Sequence, residues 1–349
     1  MALESRKHEL AIWGFAFGYF ACYAPYSALT KLLSQGALPG MPRALTGFEL
    51  LPITTGASLV AMAVFLTVAR FWRYAGRREI LGVSVPFPTR WTFLSGLATA
   101  AIIGTTTLAY TFSGVSIVFM MLLMRGGMLV LAPIVDAISR RKVRWFSWVA
   151  LGLSLGALLT AVLEAHNYAL TVLAGIDVTV YLASYFVRLR FMSHLAKSDR
   201  REDSLRYFVE EQMVATPAIV ATLAVVALVG QGAIGMEVRR GFTEIGSSGA
   251  VLAAILVGVL SQGTGVFGGL VLLDKRENTF CVPVNRASSV LAGLLASVLL
   301  TAVAGSPSLP SAEIGGAFLI LAAIVVLATP TLQAMLAHRP KVVPGKSPA

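Results

Sequence analysis

Apolar stretches of roughly 20 residues recur along the whole chain, the length an α-helix needs to cross a bilayer core of about 30 Å. They predict helices over about residues 10–33, 47–71, 91–112, 115–138, 145–164, 168–191, 205–230, 248–273, 279–304 and 312–336. Only Ser113 and Gly114 separate the third from the fourth, which predicts a tight hairpin, and no connecting segment is long enough for a soluble domain. Pro25, Pro52, Pro133, Pro217 and Pro283 fall within or at the ends of these stretches, where missing amide donors permit kinks.

Composition sharpens this picture. Of the 349 residues 56% are hydrophobic and only 13% charged, with a mean hydropathy of +0.78. A water-soluble core cannot bury so much apolar chain. Cys22 and Cys281 lie inside apolar stretches and read as packing residues. The four histidines, His8, His166, His194 and His338, fall in predicted loops or tails without metal-ligand spacing. No metal and no cofactor is expected. The opening MALESRKHE is not followed by a short apolar run with a small-residue cleavage site, so the first helix is expected to stay.

The net charge of +11 matters through its distribution, because basic residues flanking membrane helices stay on the cytoplasmic side. With the N-terminus inside, twenty-two of the 28 Lys and Arg fall on one side, Arg188 and Arg190 among them. The other side holds only Lys31, Arg43, Arg239 and Arg240. The alternation predicts an all-α membrane protein with ten transmembrane helices and both termini in the cytoplasm. Nucleic acid is not expected as a partner; lipid and a small solute are.

The two halves of the chain resemble each other. Val118-Phe119, five residues and Arg125-Gly126-Gly127 match Thr279-Phe280, five residues and Arg286-Ala287-Ser288 at an offset of 161. At the same offset Glu49 falls on Glu210, and at 159 Tyr26 and Lys31 fall on Tyr185 and Arg190. Five helices per copy is odd, so the copies enter the membrane in opposite senses, as inverted repeats do. The expected division is residues 1–166, residues 167–337 and a tail at 338–349.

Arg125 and Arg286 lie near the middle of their helices, where an ionised group costs about 2.5 kcal/mol or more and normally faces a polar cavity or a partner. Their functional reading is a grip on an anionic substrate by planar, bidentate donors; the alternative is an ion pair with an intramembrane acid. Asp177 is the clearest deep acid, read first as a counter-ion and second as a proton-coupling carboxylate. Glu49, Glu210 and Glu211 sit near helix ends within reach of interfacial water, as structural, coupling or gate groups. Tyr23, Tyr26, Tyr110, Tyr181, Tyr185, Gln262, Asn285 and the threonines at 105–107 can complete a site. Gly263 to Gly268 matches a dinucleotide-binding pattern but lies inside a predicted helix with no preceding strand, and is rejected. Gly14 and Gly18, Gly152 and Gly156, and Gly265 and Gly269 have the spacing that lets membrane helices approach closely.

The run Met124 to Val130, followed by Asp136, the basic turn Arg140-Arg141-Lys142, and Trp145 through Gly152 and Gly156, resembles the fourth and fifth helices of the drug/metabolite transporter superfamily. It is most similar to the branch of nucleotide-sugar and triose-phosphate translocators and chloroquine-resistance-transporter-like proteins. The resemblance implies a ten-helix inverted-repeat plan over essentially the whole chain, with alternating access around a cavity flanked by the fourth and ninth predicted helices. Where the triose-phosphate group has a Lys-Arg pair, this chain has Asn285-Arg286, and Ile138 and Ser139 separate Asp136 from the basic turn.

The sequence therefore predicts a secondary transporter, not an enzyme, for a small organic anion such as a phosphorylated or nucleotide-linked metabolite, moved by exchange or proton coupling. No nucleotide-hydrolysing P-loop is present. The alternatives are a drug or amino-acid exporter in which Arg125 pairs with Asp177, and a membrane scaffold or lipid-acting enzyme. The fifth and tenth predicted helices, apolar and small, offer a surface for a homodimer. The short-looped Ala/Gly-rich style suggests a bacterial inner membrane.

Overall fold

The computed structural model describes residues 2–80, 82–109, 117–164, 172–198, 200–247, 249–304 and 311–337. Among them are eleven α-helices: α1 (Ala2–Gln35), α2 (Gly47–Val68), α3 (Arg90–Leu108), α4 (Ile117–Ile138), α5 (Trp145–Glu164), α6 (Val172–Leu195), α7 (Arg201–Val229), α8 (Gly232–Thr243), α9 (Val251–Leu272), α10 (Asn278–Ala304) and α11 (Ser311–Ala337). Each of the ten predicted helices has a counterpart. Five of them, α2, α6, α7, α9 and the Asn278–Ala302 part of α10, are long and apolar enough to cross a bilayer. Large apolar side chains face outward, Phe17 at 70% exposure and Leu252 at 79% among them, as a lipid-facing surface requires. The hairpin at Ser113-Gly114, Tyr110, the junction at residues 166 and 167 and the tail at 338–349 lie outside the described residues.

Local chemistry explains several boundaries. α2 starts at a capping box in which the Thr46 hydroxyl accepts from the Glu49 amide and the Glu49 carboxylate accepts from the Thr46 amide. α7 ends at Gly230, whose φ of 58° is the left-handed conformation that stops a helix. Arg239 of α8 then donates to the carbonyls of Ala227 and Leu228, each at 2.9 Å, satisfying orphan acceptors at that end.

Two elements differ from expectation. α8 was not predicted, because its twelve residues carry charges and only Gly235, Val238 and Gly241 face inward. The segment after α2 holds a short 3-10 turn (Phe71–Tyr74) and an antiparallel hairpin of β1 (Arg77–Ile80) and β2 (Val83–Pro86), paired Arg77 with Pro86 and Ile80 with Val83. Eight strand residues among basic and Pro positions gave no alternation to read. The charge count also needs correction. Arg188, counted with the cytoplasmic flank although inside the predicted helix 168–191, is buried at 5% exposure, and because α6 runs on to Leu195, His194 lies in the last helical turn. Glu210 and Glu211, expected near interfacial water, are fully buried.

Packing joins helices far apart in sequence. α1 lies on α9 and α10, and α6 on α3 and α4; α2 packs on α9 and α7 on α3; α2 meets α7, α4 meets α10, and α5 meets α11. The main core runs through this set, with Met128, Leu129, Leu189, Phe208 and Phe280 all essentially inaccessible. The expected Gly pairs are not the closest approaches: Gly14 and Gly152 have open space where a Cβ would stand, and only Gly18 of the six is tight, 2.7 Å from the Phe267 ring. The closest crossing is Gly258 of α9, where a Cβ would strike the Thr54 carbonyl oxygen of α2. There Ser58 also donates to the Gly258 carbonyl at 2.7 Å.

At one end, the acids of the helix termini form a layer. Asp136 at the end of α4 accepts four hydrogen bonds of 2.7–2.9 Å from the amides and side chains of Asn278 and Thr279, so α4 caps α10. Glu277 accepts from Arg144 Nε at 2.9 Å and Ser147 Oγ at 2.7 Å. Burial works against an ionised Glu277, but the hydrogen bonds from Arg144 and Ser147 outweigh it and hold the carboxyl below its ordinary range.

Two outcomes follow from this packing. Gly258→Val should cost about 1–3 kcal/mol by overpacking against α2, while Gly14→Ala should leave thermal unfolding in detergent unchanged or slightly improved. Because the Glu277 pKa is depressed, its contribution to stability is complete above the ordinary carboxylate range and is lost as pH falls through the depressed value. Unfolding measured across acidic pH should therefore show native protein weakening more steeply than Glu277→Gln, which starts less stable at neutral pH.

Candidate functional site

Tyr19, Tyr23 and Tyr26 lie on one face of α1 at spacings of four and three, and all are buried. Their rings meet in sequence, tilted and then edge to face, with centroids 5.5 and 5.6 Å apart. On α6, Tyr181, Tyr185 and Arg188 repeat the same spacing, and the two tyrosine rings are 4.7 Å apart. Both stripes point into the bundle because the outward positions of these helices, such as Phe17 and Val180, carry the exposed apolar side chains.

The two mid-helix arginines meet these stripes. Arg125 of α4 donates to the Tyr23 hydroxyl at 3.0 Å, its guanidinium carbon 5.7 Å from the centre of that ring. Arg286 of α10 donates to the hydroxyls of Tyr181 at 3.2 Å and Tyr185 at 3.3 Å, 5.5 Å from the Tyr185 ring. Each arginine is 7% exposed. Tyr19 and Tyr181 are close enough to feel the charge of both guanidinium groups. Arg286 forms no salt bridge among the described residues, and its Nε has no hydrogen-bond partner. Asn285 is held by its Nδ2 donating to the Gly268 carbonyl at 3.2 Å, leaving its Oδ1 without a partner. A Cβ at Gly268 would crowd this contact, standing 2.9 Å from the Tyr19 ring and 3.0 Å from Asn285 Nδ2. Gln262 is buried on the same helix.

The other candidate residues fall elsewhere. Asp177 is 5% exposed on α6, one turn before Tyr181, and joins no ion pair among the described residues. Glu49 takes both Arg43 guanidinium nitrogens, at 2.7 and 2.9 Å, at one end of the bundle. At the opposite end Glu210 accepts from Arg206 Nε at 2.7 Å, from Thr92 Oγ1 at 2.7 Å and from the amides of Gly76 and Thr89. It ties the hairpin segment to α7. Thr105 bonds back to its own helix through the Ala101 carbonyl.

Two groups were missed by the sequence reading. Tyr19 belongs to the α1 stripe, and its signal was the spacing that Tyr23 and Tyr26 continue. The second is a bidentate pair: Arg188 donates to Glu211 at 2.9 and 2.7 Å. Ser95 and Thr99 of α3 complete the carboxylate at 2.7 and 3.0 Å, and Tyr207 bonds to Ser95. Its signal was an offset of 162 residues, which carries Tyr19, Tyr23 and Tyr26 onto Tyr181, Tyr185 and Arg188.

No family model matches the chain, and no curated protein matches it. Twenty-six chains of solved structures do. One of these, described as "Crystal structure of protein", is similar over 94% of this chain and 99% of its own, with a TM-score of 0.53 and 13% identity. At that identity the likeness concerns the fold alone.

The Arg188 and Glu211 pair makes a direct prediction. Arg188→Met strands a buried carboxylate and should destabilise the protein by about 3–5 kcal/mol, whereas Arg188→Met with Glu211→Leu should recover much of the loss. Thermal unfolding of the three proteins in one detergent measures it.

Proposed function

We propose that this protein is a secondary transporter that carries a small organic anion, phosphorylated or nucleotide-linked, across a membrane by alternating access. The observation that carries the reading is Arg286: a buried, permanently charged side chain whose described hydrogen-bond partners are tyrosine hydroxyls. Hydroxyls satisfy donors without neutralising charge. Guanidinium groups suit phosphate and carboxylate, so an anion is the ligand that this environment lacks. Arg125, at the corresponding position of the first half, adds a second donor within the same cluster of tyrosines.

The architecture we propose is ten transmembrane helices in two inverted five-helix repeats, α1–α5 and α6–α11 without α8, with both termini in the cytoplasm. The neighbour pattern supports it. Exchanging the first half for the second turns the contacts of α1 with α9 and α10 into those of α6 with α3 and α4, and α2 on α9 into α7 on α3. The α2–α3 and α7–α9 connections, which hold the hairpin and α8, correspond under the same exchange. The basic residues Arg70, Arg73, Arg77, Arg78, Arg90 and the Arg140–Arg144 turn gather at the end that also holds Lys275 and Arg276, which supports a cytoplasmic end there. On this reading the chain belongs with the drug/metabolite transporter superfamily and sits in a bacterial cytoplasmic membrane.

A thermal-shift screen of purified protein against phosphorylated sugars, nucleotide-sugars, dicarboxylates, amino acids and organic cations tests the proposal. A true ligand at a hundred times its Kd should stabilise the folded state by about 2.7 kcal/mol. The expected result is stabilisation by anions alone, lost in Arg125→Ala and in Arg286→Ala measured against their own unliganded controls. Stabilisation only by cations or neutral solutes would make the arginines structural and favour an exporter of uncharged or cationic compounds.

A further inference from the structure

The buried acids of this protein differ in one respect. Glu49 has Arg43, Glu211 has Arg188, Glu210 has Arg206 and three further donors, Glu277 has Arg144 and Ser147, and Asp136 has four hydrogen bonds. Asp177 is as deeply buried, at 5% exposure, yet its Oδ2 has no hydrogen-bond partner and the group forms no ion pair among the described residues. An ionised carboxylate held that way is costly, and the neutral acid far less so.

Its position can be fixed from the helix register. α4 and α6 lie side by side in the same direction: the Tyr181 hydroxyl meets Met128 Sδ at 3.9 Å, and Arg190 reaches Ser139 Oγ at 3.5 Å, separations of 53 and 51 residues. Asp177, one turn before Tyr181, is therefore level with Met124 and Arg125. The other charged groups on the helices around α6 stand elsewhere. Arg90 is the only one on α3, at its far end; Asp136 is at the far end of α4; those of α7 all lie between Arg201 and Glu211, again at the far end. On α10, Arg286 is engaged by Tyr181 and Tyr185, and Cys281 is a full turn further away. Arg125 is the charge that shares the level of Asp177.

We infer that Asp177 is a proton-binding site coupled to the anion: the carboxylate takes a proton as the anion binds beside it and releases it as the anion leaves, so that both cross in the same direction. This rests on the anion-transport reading above. An anion held by Arg125 and Arg286, beside Tyr181 and Tyr185 one to two turns along α6, is repelled by an ionised Asp177, and protonation removes the repulsion. Linkage is reciprocal, so each ligand strengthens binding of the other. The proton comes from water on the side to which the site is open and returns to water on the other, and no bond other than the carboxyl O–H forms or breaks.

Sulfate, dianionic throughout the working range, serves as the probe, with the full chain purified in detergent. Proton uptake on sulfate addition is read with an indicator dye in weak buffer, and sulfate affinity by titration across pH. Above the titration of Asp177 the native protein should take up a proton with each sulfate, and in that range its affinity should fall about tenfold per pH unit. Asp177→Asn should bind sulfate with no uptake and no pH dependence, and Asp177→Glu, which keeps the acid, should retain uptake. Undiminished uptake in Asp177→Asn, or pH-independent sulfate binding by native protein, overturns the proposal. The infrared carbonyl band of a neutral carboxylic acid, measured without sulfate at a pH below the titration of Asp177 and absent from Asp177→Asn, separates the two layers. If the band is present but native protein binds no sulfate, the anion reading fails and the coupling with it. If sulfate binds but the band does not depend on Asp177, only the proton site fails.

Discussion

An ionised side chain inside an apolar bundle has no water to turn to, and the arrangement of this molecule depends on where each such group finds its partner. Glu211 takes Arg188 and the hydroxyls of Ser95 and Thr99, which binds α3, α6 and α7 together. Asp136 holds the start of α10 to the end of α4, and Glu277 holds the start of α5. At the other end Arg43 and Glu49 close the turn into α2, and Thr46 reaches Glu237 of α8 at 2.8 Å. Apolar helix surfaces are nearly interchangeable in lipid. These few polar joints are what distinguish one neighbour from another.

The centre of the bundle obeys the same constraint in a different way. Tyrosine hydroxyls receive the donors of Arg286 without cancelling its charge, while the rings offer their negative faces to both guanidinium groups. The result is a buried charge whose described hydrogen bonds go to hydroxyls rather than to an acid. Three of the helices that build the site, α1, α4 and α10, carry Pro25, Pro133 and Pro283, so the backbone beside it is already relieved of some of its helical hydrogen bonds.

Much of this was legible in the residues. Ten helices could be read because an unbroken apolar run of about 20 residues is too long for a buried strand and matches the thickness of a bilayer core. Arg125 and Arg286 stood out because a charge in such a run demands a reason, and their tyrosine neighbours on α1 and α6 were among the candidates. What could not be read was partnership across the chain. Arg188, near the end of its predicted helix, was counted with the basic flank because its acid, Glu211, is on another helix and nothing local marks the pair. Glu49 and Glu210 looked alike at an offset of 161, yet whether each was gate, coupler or cap depended on Arg43, Arg206 and the amides of Gly76 and Thr89, which only folding brings near. α8 and the hairpin escaped because short polar segments between apolar runs have no period to detect.

The pairing of α1 with α9 and α10 bears on how the molecule is assembled. α1 is completed by α9 and α10, which follow it by more than 200 residues. Until they arrive, the tyrosine face of α1 has Arg125 of α4 to meet it but not the helices that bury it, and α2 waits for the Gly258 surface of α9. The first half is therefore not a finished module that the second half joins. Contacts so distant in sequence form slowly and late, and the nascent first half spends most of its synthesis as a set of inserted helices whose polar faces are sheltered only by one another.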